Sequence, residues 1–194
     1  MQVISKRGSQ TVPKIFPKSR EWITILCCVN AIGTSIPGFY LFKGKNQLKN
    51  YIRNCEPGAC MAAHPHAWMT KELFLSWIFH FAASVPGGVS PNNRHLLILD
   101  GHGSHMAVQT IEEANNLGID LLTLPAHTTH RLQPLDVSVF GPFKNYFRLE
   151  HTTWMAKNLG VEVKRFELAE LASKAFKRAL TPSNIKAGFR KTGI

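Results

Sequence analysis

The chain has 194 residues, of which 44% are hydrophobic, 10% aromatic and only 18% charged. That composition excludes a disordered segment and suits one globular domain with a substantial core. A formal net charge of +11 and a sequence pI near 9.8 favour a polyanionic partner, of which nucleic acid is the commonest.

Residues 1–20 carry basic residues and two prolines but no Asp or Glu, and read as an extended basic arm or an edge strand. Residues 21–33, EWITILCCVNAIG, are β-branched and apolar and close on a turn, which predicts a buried strand. Residues 35–43, SIPGFYLFK, are its expected hairpin partner, with Pro37 and Gly38 at the start, where missing ladder bonds matter least. Residues 45–68 have weak periodicity and read as a loop with one short helix. Residues 70–85 place Leu73, Phe74, Trp77, Ile78 and Phe81 at helical spacing behind Thr70, a good N-cap, and end at Pro86-Gly87-Gly88. The apolar stretches 94–100 and 119–124 predict strands buried on both faces, separated by a helix over 105–117 that stops at Gly118. Further helices are expected over 137–158 and 166–180, with a short piece near 182–190. Strands alternating with helices predict an α/β domain with a mixed sheet, in which 94–100 and 119–124 run parallel.

Four cysteines, Cys27, Cys28, Cys55 and Cys60, in a chain without a visible secretory signal point to a reducing compartment. The longest apolar run, 73–85, is too short to cross a bilayer and contains His80, so no membrane partner is expected. The oligomeric state stays open. The basic residues are spread among the arm, Lys43, Lys45, Lys49 and Arg53, and the last third of the chain. That spread suits a surface tracking a phosphate backbone more than a localisation signal.

Only three aspartates exist, Asp100, Asp120 and Asp136. Asp100 ends an expected strand at its carboxyl edge, before Gly101-His102-Gly103, where open α/β sheets build their sites. Asp136 stands just ahead of an amphipathic run. Each could instead be a helix N-cap. Taken together at the mouth of one sheet, two carboxylates can share divalent ions of the Mg²⁺ or Mn²⁺ kind, which require hard oxygen ligands. Asp120 begins a strand, at the opposite edge, and reads as structural.

The stretches HLLILDGHGSHM (95–106) and LLTLPAHTTHRLQPLDVSVFGPFK (121–144), with 35 residues between the two aspartates, closely resemble the DDE superfamily endonuclease domain of pogo, Tigger and jerky-like transposases. REWITILCCVNAIGTSIPGFYLFKGK (20–45) and the tail LTPSNIKAGFRKTGI (180–194) look like other parts of the same domain, so the resemblance runs from about residue 20 to the end. It implies an RNase H-like fold over residues 21–194, metal-dependent cleavage and strand transfer of DNA, and a nuclear location. It also implies three acidic metal ligands, the second matching Asp100 and the third Asp136, holding two Mg²⁺ or Mn²⁺ ions. The first would lie on an opening strand, and no acid precedes Glu21. That strand is therefore expected to be missing or replaced by the arm, and the chain reads as a truncated, decayed or domesticated copy with impaired catalysis. The alternative is an inactive DNA-binding or protein-interaction remnant.

His102, His105, His127 and His130 are expected to orient the loops around the two aspartates or to contact phosphate; loop capping and a four-histidine zinc site are the alternatives. Cys55, Cys60, His64 and His66 have zinc-ligand chemistry at irregular spacing, and surface-loop roles are favoured over zinc. Cys27 and Cys28 read as packing residues. Most of Trp68, Trp77, Phe79 and Phe81 are expected in the core, with base stacking the other reading. Lys43, Lys45, Lys144 and Arg148 are the candidate DNA-backbone contacts.

Overall fold

The structure is a computed structural model and describes residues 22–45, 49–101 and 107–194. The arm 1–20, Glu21, and the site-loop candidates His102 and His105 lie outside the described residues.

Among the described residues, five strands form two sheets. β1 (Ile23–Leu26), β2 (Phe39–Lys43) and β3 (Cys60–His64) make the first, in that order. β1 pairs antiparallel with β2, and β2 pairs parallel with β3. β4 (His95–Leu99) and β5 (Ile119–Thr123) pair in parallel as the second. The helices are α1 (Lys71–Ser84), α2 (Val108–Leu117), α3 (Thr129–Leu132), α4 (Phe140–Lys157), α5 (Arg165–Ala179) and α6 (Pro182–Thr192). The domain is thus α/β, with a mixed sheet and flanking helices. The parallel pairing of β4 with β5 and the five longer helices agree with the sequence reading.

β2 is the centre of the molecule because its side chains alternate between two apolar surroundings. Phe39 and Leu41 pack with Phe74, Trp77, Ile78 and Phe81 of α1 and with Leu97, Leu99 and Ile119 of the second sheet. Tyr40 and Phe42 pack on the opposite side against Ala169 and Ala172 of α5. The small alanines let α5 lie close to the strand, and Phe143 of α4 stacks on Phe176 of α5 at 3.9 Å between ring centroids. One core therefore joins both sheets to α1 and α2, while α4 and α5 cover the other side of β2.

The local stops follow their chemistry. The Thr70 hydroxyl accepts from the Leu73 amide at the start of α1. Gly118 ends α2 at φ 90°, and a Cβ there would sit 2.2 Å from the Ser90 carbonyl oxygen, so both backbone angle and space demand glycine.

Four expectations need correction. The strand expected over 21–33 is regular only over Ile23–Leu26, with an isolated bridge from Val29 to Ser35, so Cys27 and Cys28 follow the strand. They still pack against apolar neighbours, as expected. Within 45–68, the short helix is a 3-10 turn, Lys49–Ile52, but CMAAH also forms β3. Its small residues give no alternation, and parallel pairing with β2 makes it a strand. β4 and β5 are not buried on both faces. Leu97, Leu99 and Ile119 face the core, whereas Leu96 is 61% and Leu122 49% exposed, because the helices packed on this pair cover one face. Finally, Trp68 and Phe79 are exposed, while Trp77 and Phe81 are buried.

Candidate active site and basic surface

Asp100 directly follows β4, half-buried. Leu99 is paired with Thr123, and the Leu124 amide donates to the Leu99 carbonyl at 2.8 Å. Asp100 therefore leaves its strand beside the point where the chain leaves β5. A Cβ on the next residue, Gly101, would lie 3.6 Å from the Leu124 carbonyl oxygen. The helix that follows, α2, has Ala107 at its N-cap, so Asp100 does not cap it.

From β5 the chain passes through a turn and α3 into a π-helical segment, Leu135–Val139, that feeds α4. Asp136 lies in this segment. Leu135 and Val139 are buried against Ala179 and Ile185, whereas Asp136 is exposed. The segment is pinned from α6, since the Ser138 hydroxyl donates to the Asn184 carbonyl at 2.7 Å. Gly188 of α6 packs so closely that a Cβ there would come within 2.6 Å of the Pro134 carbonyl oxygen. The positions that would cap the π-helical segment and α4 are Pro134 and Val139, and neither makes a side-chain cap bond. Asp136 is therefore the N-cap of neither the π-helical segment nor α4. Interrupted helices of this kind recur at functional sites.

His127, exposed with a left-handed φ of 62°, and His130, exposed on α3, lie on the same connection between β5 and Asp136. A left-handed backbone at a non-glycine residue marks a conformation imposed by its surroundings. Asp120 is engaged elsewhere, at 2.6 Å from Arg94 on the surface. Arg94 hydrogen-bonds it and holds its carboxyl below the ordinary range.

Among the described residues, no group of three or more His, Cys, Asp or Glu side chains is arranged to hold a metal ion. For Cys55, Cys60, His64 and His66 the reason is geometric. Cys60 and His64 are opposite ends of β3, about 13 Å apart at the usual rise per residue. Burial pushes the thiols of Cys28 and Cys55 up to about 12 and that of Cys27 further up, so all three stay protonated near neutral pH.

The basic candidates fall on two faces. Lys43 ends β2, with exposed Lys45 two residues on. Lys144 and Arg148 are both exposed, one turn apart on α4, while Phe143 and Phe147 of that helix pack inward. The sequence pointed to His66 only as a zinc candidate and gave Trp22 no role, and both join Lys43 and Trp68 at one sheet end. Trp22 was hidden by its place in an apolar run.

Compared with known proteins, the chain is 32% identical over 93% of its length to "MFS-type transporter clz9" of Cochliobolus lunatus, covering 20% of that protein. It is 29% identical to "Pogo transposable element with KRAB domain" of Mus musculus and 28% identical to the Homo sapiens protein of that name, in each case over 72% of this chain and 22% of the relative. The chain thus spans about a fifth of the length of the curated relatives it matches. No solved structure matches it. Residues 19–189 match the sequence profile described as DDE superfamily endonuclease, and the chain belongs to that family.

Proposed function

We propose that this transposase-derived domain binds DNA and acts on its phosphodiester bonds, by cleavage and strand transfer, with Asp100 and Asp136 as ligands of Mg²⁺ or Mn²⁺. The observation that carries this reading is that Asp100 leaves β4 beside the point where the chain leaves β5 on its way to Asp136. Their oxygens are hard donors, the kind that divalent Mg²⁺ takes. When bound, such an ion supplies Lewis-acid stabilisation of the charge that develops on a phosphate. The chain's own part is positional: β4 holds Asp100 at a strand end, and the π-helical segment presents Asp136 from a buried footing. His127 and His130 stand where they can orient this connection or donate to phosphate. Lys43, Lys45, Lys144 and Arg148 offer exposed or half-exposed charge for the DNA backbone.

The fold proposed with it is RNase H-like, with the two sheets as parts of one layer. The common core under Leu41, Leu97 and Leu99 supports that reading. A nucleus is the compartment that such a DNA substrate implies.

A second reading is an inactive DNA-binding or protein-interaction domain. What supports it is the net charge of +11, which favours a polyanionic partner with or without metal chemistry. The word "transporter" in one relative's name concerns that protein. Here no described helix is long and apolar enough to cross a membrane.

Nicking of supercoiled plasmid in Mg²⁺ or Mn²⁺ tests the proposal. The expected result is metal-dependent nicking that falls at least about 100-fold in Asp100→Ala and in Asp136→Ala, as for loss of a preorganised charge. Equal nicking by wild type and Asp100→Ala would sink the catalytic reading.

A further inference from the structure

One end of the three-stranded sheet carries, beside Lys43 and Lys45, aromatic side chains that the proposed cleavage does not use. β2 and β3 finish there side by side, with Lys43 opposite His64, and β1 begins there, with Ile23 opposite Phe42. Trp22, Lys43 and His64 therefore emerge together. Beyond β3 the chain turns sharply. Ala67 takes a left-handed φ of 54°, which a residue with a side chain rarely adopts. Its own methyl is buried at 1% exposure, its amide donates to the His64 carbonyl at 2.9 Å, and its carbonyl accepts from the Thr24 hydroxyl at 2.8 Å. His64 Nδ1 accepts from the amides of His66 and Trp68 at 3.3 and 3.4 Å.

A turn anchored at Ala67 throws its neighbours outward. Trp68 is 69% exposed, and its ring lies 5.4 Å from that of exposed His66. Trp22, 47% exposed, donates from Nε1 to the His66 carbonyl at 3.4 Å, and Lys43 Nζ lies 4.4 Å from the centre of its ring. Exposed Lys45 continues the strip. The result is two indoles and an imidazole on a fixed turn, interleaved with two ammonium groups.

This chemistry selects among partners. Duplex DNA keeps its base faces stacked inside and would use only the lysines. An acidic peptide would likewise leave the indole faces wet. Unpaired bases on a phosphate strand use both, because stacking on aromatic rings is sequence-tolerant and lysines follow the phosphates. We propose that this end of the sheet binds single-stranded DNA, with bases stacked on Trp68 and Trp22 and phosphates on Lys43 and Lys45. The inference rests on the DNA-binding part of the function proposed above and not on its metal chemistry.

The test is fluorescence anisotropy of a labelled oligothymidine and of a duplex of equal length. Both are titrated in EDTA with wild type, Trp68→Ala and Trp68→Phe, and the fold of each variant is checked by circular dichroism. Trp68→Ala is expected to weaken oligothymidine binding roughly 5- to 100-fold, the effect of losing one stacked base, with duplex binding unchanged and Trp68→Phe retaining most of the affinity. Unchanged oligothymidine affinity in a folded Trp68→Ala protein overturns the proposal. So does an equal fall on single strand and duplex, which would mean a phosphate site, or dissociation of a dimer by the substitution, which would mean a surface between copies of this chain. Because EDTA removes any cleavage, the failure of metal-dependent nicking and the failure of this binding are separate results.

Discussion

Glu56 is an acid tied into this fold by three partners. Its carboxylate accepts from the Gly38 amide at 2.8 Å, the Tyr40 hydroxyl at 2.9 Å and the Ser173 hydroxyl at 2.6 Å. It thereby links β2, its preceding loop and α5. Burial alone would raise its pKa, but the hydrogen bonds from Ser173, the backbone amides and Tyr40 together bring it below the ordinary 4.5. A carboxyl depressed in the folded state contributes stability that is complete above its ordinary pKa and is lost as pH falls through the folded value. Glu56→Gln is expected to lower stability by about 1–3 kcal/mol at neutral pH, since an amide puts a donor among donors. In thermal melts, the gap in Tm between wild type and variant should narrow as pH falls from about 5 to about 3; a gap constant with pH would remove this role. Nothing in the sequence pointed to Glu56, because its partners lie 16 to 117 residues away along the chain. Asp100 and Asp136 were visible at the same scale because each sits in a local motif. What the sequence left open was whether they were helix caps, and capping is decided by where the following helix actually starts.

The π-helical segment Leu135–Val139 is the element on which the candidate site depends most. It is held by α6, whose Gly188 leaves no room for a methyl group against the Pro134 carbonyl. Gly188→Ala is expected to cost about 1–3 kcal/mol through overpacking, and to reduce nicking further by shifting the backbone that carries Asp136. Chemical denaturation and plasmid nicking read the two effects; an unshifted midpoint would mean that α6 does not brace the segment. Sequence periodicity located α4 and α6 to within a few residues, but the π-helical turn was not legible. Its extra residue is absorbed by packing of Leu135 and Val139 onto α5 and α6, a contact far along the chain. β3 escaped for a similar reason. CMAAH has little strand preference of its own, and pairing with β2 is what makes it extended.

Across the whole molecule, the charge of +11 is distributed rather than concentrated. Lys43 and Lys45 stand at one sheet end, and Lys144 and Arg148 on α4. If both latter side chains contact phosphates, Lys144→Ala with Arg148→Ala should reduce the slope of log affinity against log salt by about 2 for duplex DNA. Titrations at several salt concentrations measure it, and an unchanged slope would take α4 out of the interface. The charge, the α/β class, the order of most elements and the paired aspartate motifs were legible along the chain, because these depend on composition, local periodicity and short-range signals. Packing settled that β2 is central, that β4 and β5 leave one face open, that Asp136 is not the N-cap of α4, and that Trp68 faces solvent. Periodicity reports which face of a segment is apolar. Whether that face is covered, and by what, depends on segments distant in the chain, and that information arises only when the chain has packed.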